Sequence, residues 1–286
     1  MAHEPPDSPP PVTPPRRRTR LTRRGRLTLF LGSLLVLAVA AAVLVPLLTR
    51  ETKTEETART LVIPEGRRAT QVYEAVDRAL GVPAGTTASA APTSDLPLPD
   101  AAKGNPEGYL YPATYPVTSA TTPKSLLRYM TDTAGRRFGA DHITAGARRN
   151  DVTVYQTVTI ASIVQAEADT GTDMGKVARV IHNRLDRGMP LQMDSTLNYA
   201  LNRSTLDTTT GDTKLDSPYN SYAHKGLPPT PIGNPGEQAM TAAITPTPGP
   251  WLYFVTVAPG DTRFTDDYAE QQRNVAEFNR NRGGGG

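Results

Sequence analysis

The stretch Ile160-Ala161-Ser162-Ile163-Val164-Gln165-Ala166-Glu167 decides how the chain is read. Val152 to Ala166 has the composition of a helix, and Ile160, Ile163, Val164 and Glu167 fall at i, i+3, i+4 and i+7. A carboxylate therefore shares the apolar face of the predicted helix. Aliphatic neighbours partly desolvate such a group, which disfavours its charged form and raises its pKa. A carboxyl that keeps its proton near neutrality can donate it to a leaving oxygen, the general-acid role. The spacing leaves a plainer role open: Glu167 at a helix end is equally able to pair with Arg179 or Arg184, or to reach solvent.

Working outward, a second helix is predicted over Asp173 to Arg187, with Val177, Val180, Ile181 and Leu185 on one stripe, Asp173 as N-cap, and Gly188 and Pro190 as the stop. Met193-Asp194-Ser195-Thr196 opens a third, short helix ending near Leu201, with Asp194 as its simplest N-cap. Upstream, Thr60 to Ile63 reads as a strand, Pro64-Glu65-Gly66 as a turn, and Thr70 to Leu80 as a helix ended by Gly81. Val82 to Asn105 carries no amphipathic period and reads as a long loop. A helix follows Pro123, and Trp251 to Val257 is a strand. Short helices and short strands out of βαβ order give an α+β fold.

The N-terminal part is organised differently. Residues 1–26 read as a disordered basic tail and 27–48 as a membrane helix, because Leu27 to Leu48 holds no charged residue over a length that spans a bilayer core. Residues 49–59 form a short stalk, 60–282 the folded domain, and 283–286 a flexible glycine tail. Eight arginines and two acids in residues 1–50 give that part +6, so the net +3 of the chain leaves −3 for the remainder. The basic flank predicts a cytoplasmic N-terminus and an extracytoplasmic domain, in a single-pass cell-membrane protein. A mildly acidic outer domain disfavours nucleic acid as a partner.

Several chemistries are excluded. The chain has no cysteine, so disulfides and thiolate nucleophiles are ruled out. His3, His142, His182 and His224 lack metal-ligand spacing, so no metal is indicated, and no phosphate loop or Gly-x-Ser-x-Gly elbow is present. Gln192, Thr196 and Tyr199 flank Asp194 as a polar set of the sort carbohydrate clefts use, although any surface offers the same residues. Ser217 to Ile232, dense in Pro, Gly, Tyr and Asn, reads either as a groove wall or as an ordinary ordered loop.

Ordered blocks between Val62 and Phe278 carry a resemblance. They include Ile63-Pro64-Glu65-Gly66, Glu107-Gly108-Tyr109-Leu110-Tyr111-Pro112, Ala161 to Glu167, Asn183-Arg184-Leu185, Met189 to Thr196, Tyr219-Asn220-Ser221-Tyr222 and Gly226-Leu227-Pro228-Pro229. In this order they resemble the MltG/YceG-like endolytic murein transglycosylases. The resemblance implies a membrane-anchored lyase that cleaves peptidoglycan strands between N-acetylmuramic acid and N-acetylglucosamine and leaves 1,6-anhydro ends. It implies Glu167 as acid and then base, and Gln192, Asp194, Thr196, Tyr199, Asn220 and Tyr222 as substrate contacts. No cofactor is implied; penicillin-binding cell-wall synthases are the implied protein partners. The alternative from another class is a non-catalytic glycan-binding scaffold for those synthases. Three departures stand out. Only Glu51 to Thr60 lies where members often carry a LysM-like module, Glu270-Gln271-Gln272 replaces a Glu-His-Asn triplet, and Val82 to Asn105 is short.

Overall fold

Alternation of Leu61 and Ile63 into the interior starts the folded domain. Strand β1 (Arg59–Val62) pairs antiparallel with β2 (Thr114–Val117), Arg59 opposite Val117 and Val62 opposite Thr114. Helix α1 (Ala69–Leu80) lays Val72 and Val76 over this small sheet, as its period predicts, and ends at Gly81, whose φ of 67° suits a residue without Cβ. In this computed structural model the described residues are 59–203, 209 and 211–283, with five helical positions between 32 and 42. The chain divides into two units, Met1–Glu56 and Thr57–Gly286. The predicted tail, most of the membrane span and stalk, and the last glycines lie outside the described residues. Among the described residues no helix is long and apolar enough to cross a membrane.

Val82 to Asn105 departs from its reading as a loop. It contains α2 (Thr86–Ala90) and two single 3₁₀ turns, Ala91–Thr93 and Asp100–Ala102. The organiser is Asp77 on α1, a buried carboxylate that accepts hydrogen bonds from the Gly85 N–H (2.7 Å), the Thr87 N–H (2.8 Å) and the Thr87 hydroxyl (2.6 Å). Its order comes from one distant acid rather than from an apolar stripe, so periodicity could not reveal it. Helix α3 (Pro123–Phe138), capped by Thr122 with Pro123 in its first turn, closes the first core with Leu126, Leu127 and Met130.

The second and larger core is built by α4 (Asp141–Arg149), α5 (Val154–Glu167) and α6 (Gly171–Asp186), joined by α7 (Asp194–Ala200) and α8 (Glu237–Ile244). Helix α5 was expected to bury one face. Instead every residue from Thr157 to Val164 is buried, because other elements envelop the helix. Its polar side chains are satisfied locally: Thr157, Thr159 and Ser162 return hydroxyls to backbone carbonyls at 2.8–3.0 Å, and Thr153 and Gln156 form a capping box. Helices α4 and α8 approach so closely that a Cβ on Gly146 would lie 2.5 Å from Cβ of Ile244.

Two predicted caps are corrected. Thr170, not Asp173, caps α6: its hydroxyl oxygen accepts the Asp173 N–H at 3.1 Å, while Asp173 lies in the first turn. Asp194 is the first residue of α7, with Met193 in the cap position. In both helices the chain enters one residue or more away from the acid, a choice the local sequence does not fix.

The C-terminal strands β3 (Tyr253–Ala258) and β4 (Asp261–Thr265) form a bulged hairpin covered by α9 (Tyr268–Gly283). Arg263 grips Glu277 with two bonds at 2.7 and 2.9 Å. In the Glu270-Gln271-Gln272 departure, Glu270 accepts the Thr265 hydroxyl at 2.7 Å and Gln271 donates to the Phe254 carbonyl at 3.1 Å, so this triplet ties α9 to the hairpin. Two two-stranded sheets and a majority of helix, not interleaved as βαβ, make the architecture α+β.

Candidate active site

Because α5 is buried to its last turn, Glu167 leaves the core as the helix ends, and its side chain is only partly exposed. Oε1 accepts the backbone N–H of Ser195 at 3.2 Å, in the first turn of α7. The Ser195 hydroxyl lies beside the same carboxyl; its oxygen is buried and meets no hydrogen-bond geometry. Burial pushes the Glu167 pKa up, the Ser195 donor acts against this, and the nearby Asp194 charge adds to the rise. Neither Arg179 nor Arg184 pairs with it. Arg179 donates to the carbonyls of Thr247 and Pro246, and Arg184 to those of Leu252, Pro190 and Leu191.

Around this carboxyl the structure gathers part of the expected set. Asp194 accepts the Tyr222 hydroxyl at 2.6 Å. Burial, then Asp194, then the charge of Glu167 push the Tyr222 phenol well above its ordinary value, while Arg184 acts in the opposite sense. Tyr222 is thus within electrostatic reach of both acids and of one buried cation. Exposed Gln192, at a left-handed φ of 54°, accepts from Arg184 at 3.1 Å and donates its N–H to the Ser221 carbonyl at 2.9 Å.

The other three expected contacts serve elsewhere. Thr196 is 0 % exposed, and its hydroxyl is shared between the Met193 carbonyl and Ser221, both at 2.8 Å. Asn220 is also 0 % exposed, bonding the Thr213 and Leu215 carbonyls and the Tyr222 N–H. In this structure both side chains are buried and spend their hydrogen bonds within the protein, holding the loop that carries Tyr222. The Tyr199 hydroxyl donates to Glu107 at 3.1 Å, and its ring lies under Arg68. Sequence reasoning gave Ser195 no role of its own at this site, weighed Arg184 only as an ion-pair partner of Glu167, and gave Glu107 no chemical role; Ser195 and Glu107 act through contacts distant in sequence.

Two depressions of about 440 and 450 Å³ lie either side of the Gly226–Pro229 segment. Leu227 and Pro229 line both, so this segment is a wall, but neither space is lined by the Glu167 group. Among the described residues no cluster of His, Asp or Glu is placed to hold a metal.

The sequence pattern of the YceG-like family matches residues 38–277, which contain every residue of this site. The chain belongs to the YceG-like family. It is 34% identical over 168 residues to the endolytic murein transglycosylase of Bacillus subtilis, an alignment covering 58% of this chain and 46% of that relative. To the endolytic murein transglycosylase of Streptococcus pneumoniae serotype 2 it is 36% identical over 189 residues, 64% of this chain and 34% of the relative. The chain therefore spans less than half the length of these relatives. A crystal structure of a yceG-like protein, lmo1499, from Listeria monocytogenes shares the fold with a TM-score of 0.66 at 28% identity, over 76% of this chain and 75% of that one.

Proposed function

We propose that this YceG-like protein is an endolytic peptidoglycan lytic transglycosylase, a lyase that cuts between N-acetylmuramic acid and N-acetylglucosamine. The observation that carries the reading is Glu167: one partly desolvated carboxyl, raised in pKa, with one oxygen accepting the Ser195 N–H. Protonated Glu167 donates its proton to the glycosidic oxygen as the bond from the muramic C1 to that oxygen breaks. The resulting carboxylate then takes the proton of the muramic O6 hydroxyl as O6 bonds to C1. No water is consumed, the 1,6-anhydro ring closes, and Glu167 ends protonated as it began. A second catalytic carboxyl is not required, unlike in most hydrolases. Asp194, held by Tyr222, supplies negative charge beside the developing positive charge at C1, and Gln192 is the exposed candidate for a sugar hydroxyl.

The anchor at residues 27–48, the cytoplasmic N-terminus and the extracytoplasmic domain are part of the same proposal, supported by the uncharged apolar run and its arginine flank. Cell-wall synthases are the proposed protein partners on this reading, since a membrane-bound cutter meets strands as they are made.

The test is to incubate the full chain with purified sacculi and analyse the muropeptides released. Anhydro-muropeptides that vanish in Glu167→Gln support the lyase. Reducing ends without the anhydro ring would make it a hydrolase. The scaffold reading requires binding to sacculi without any cleavage.

A further inference from the structure

Helix α7 has seven residues, about 10 Å, and a helix this short does not hold its own orientation in water. Tertiary bonds at its two ends must set it. At the first end, the Ser195 N–H meets Glu167, Asp194 meets Tyr222, and the Met193 N–H donates to Ser221 at 2.9 Å. At the other end stands a second buried acid. Glu107 is 4 % exposed, and its carboxyl accepts the Ala69 N–H at the start of α1, at 3.0 and 3.2 Å, together with the Tyr199 hydroxyl of α7 at 3.1 Å. Arg68 lies over the Tyr199 ring at 5.2 Å and donates to the Arg203 carbonyl just beyond α7 at 2.7 Å. Tyr219 packs on the same ring at 4.9 Å.

Glu107 thereby joins the two cores: α1 belongs to the first, and Tyr199 packs against the second. From the geometry we infer that Glu107 is a positioning residue for Glu167: through Tyr199 it fixes the orientation of α7, and so the aim of the Ser195 N–H and the Asp194 carboxylate. Nothing in the reaction proposed above uses Glu107, and an acid so buried is costly to keep without such a task. The charged and titratable groups facing it are Arg68 and Tyr73 from around α1 and Tyr199 from α7. Burial pushes its pKa up to about 7, against the Ala69, Tyr199, Arg68 and Gly108 contributions, so α7 is tied to a group that titrates near neutrality.

The role rests on the proposed function only where activity is read, so the primary readout is the Glu167 carboxyl itself. In full-length protein carrying ¹³C-labelled glutamate, with the Glu167 signal assigned by its loss in Glu167→Gln, the titration midpoint is compared between wild type and Tyr199→Phe. Tyr199→Phe keeps the ring and removes the hydroxyl that bonds Glu107. Once α7 is released, the Ser195 donor no longer favours the charged form, and the Glu167 midpoint rises by up to about one unit, the worth of one charge-assisted hydrogen bond. Glu107→Gln, which retains an acceptor, moves it less. The alkaline limb of anhydro-muropeptide release shifts in the same direction. An unmoved Glu167 midpoint in folded Tyr199→Phe and Glu107→Gln overturns the inference. If wild type releases no anhydro product but the midpoint moves as stated, the positioning role stands and the lyase reading falls.

Discussion

The two glutamates at opposite ends of α7 meet similar physics and reach different ends. Both are taken from water and both have raised pKa values, with burial as the leading cause. Glu107 has both oxygens occupied, by a helix N-terminus and a tyrosine, and it is 4 % exposed. Glu167 has one oxygen on one backbone N–H and remains partly open. A perturbed carboxyl therefore marks function only when it also has a free face from which to exchange its proton. Glu107 has the perturbation without the access.

The largest effect that separates them is on turnover. Glu167→Gln should reduce anhydro-muropeptide release by about 10²- to 10⁴-fold while the protein stays folded, because acid–base assistance is removed and little packing is lost. Glu107→Gln should lower activity far less; an equal loss in both variants, measured on the same sacculi, would erase the distinction drawn above.

The pH dependences differ as well. A raised Glu167 pKa means that the acid form is depleted as pH rises through it, so release should fall on the alkaline side. Stability follows Glu107. Its folded value of about 7 lies above the ordinary 4.5, so it adds stability that is full below pH 4.5 and lost as pH climbs through 7. Urea midpoints measured between pH 4 and 8 should decline for wild type, and the decline should flatten in Glu107→Gln.

Smaller effects refine the surroundings of Glu167. Tyr222→Phe removes the 2.6 Å bond that holds Asp194 and should cost about tenfold in release, roughly the worth of one bond to a charged group. Ser195→Ala should cost less than about threefold, near the usual limit of a substitution without a bonding role, because it keeps the backbone N–H that Glu167 accepts. A tenfold loss there, seen in the same assay, would transfer the contact to the hydroxyl.

Much of this arrangement was legible from local pattern. The 3.6-residue period placed α1, α3, α5 and α6, the apolar run placed β3, and the carboxylate on the face of Ile160 and Ile163 pointed to Glu167. Three of the departures share one source. The order in Val82 to Asn105 depends on Asp77, the capping of α6 on the Thr170 hydroxyl accepting the Asp173 N–H, and the placing of Tyr199 on a partner 92 positions earlier. Each is a polar contact whose energy depends on direction and burial, and neither has a period along the chain.

The amino-acid order by itself placed helices α1, α3, α5, α6 and α7 and strands β1 and β3, and put an acid at the end of the most buried helix, since those follow from spacing and side-chain chemistry between near neighbours. Tertiary structure alone decided that the Ser195 N–H meets that acid, that Tyr222 holds Asp194, and that Thr196, Tyr199 and Asn220 make their hydrogen bonds within the fold. Hydrogen bonds across the fold are settled only once two separate elements are brought within about 3 Å at the right angle.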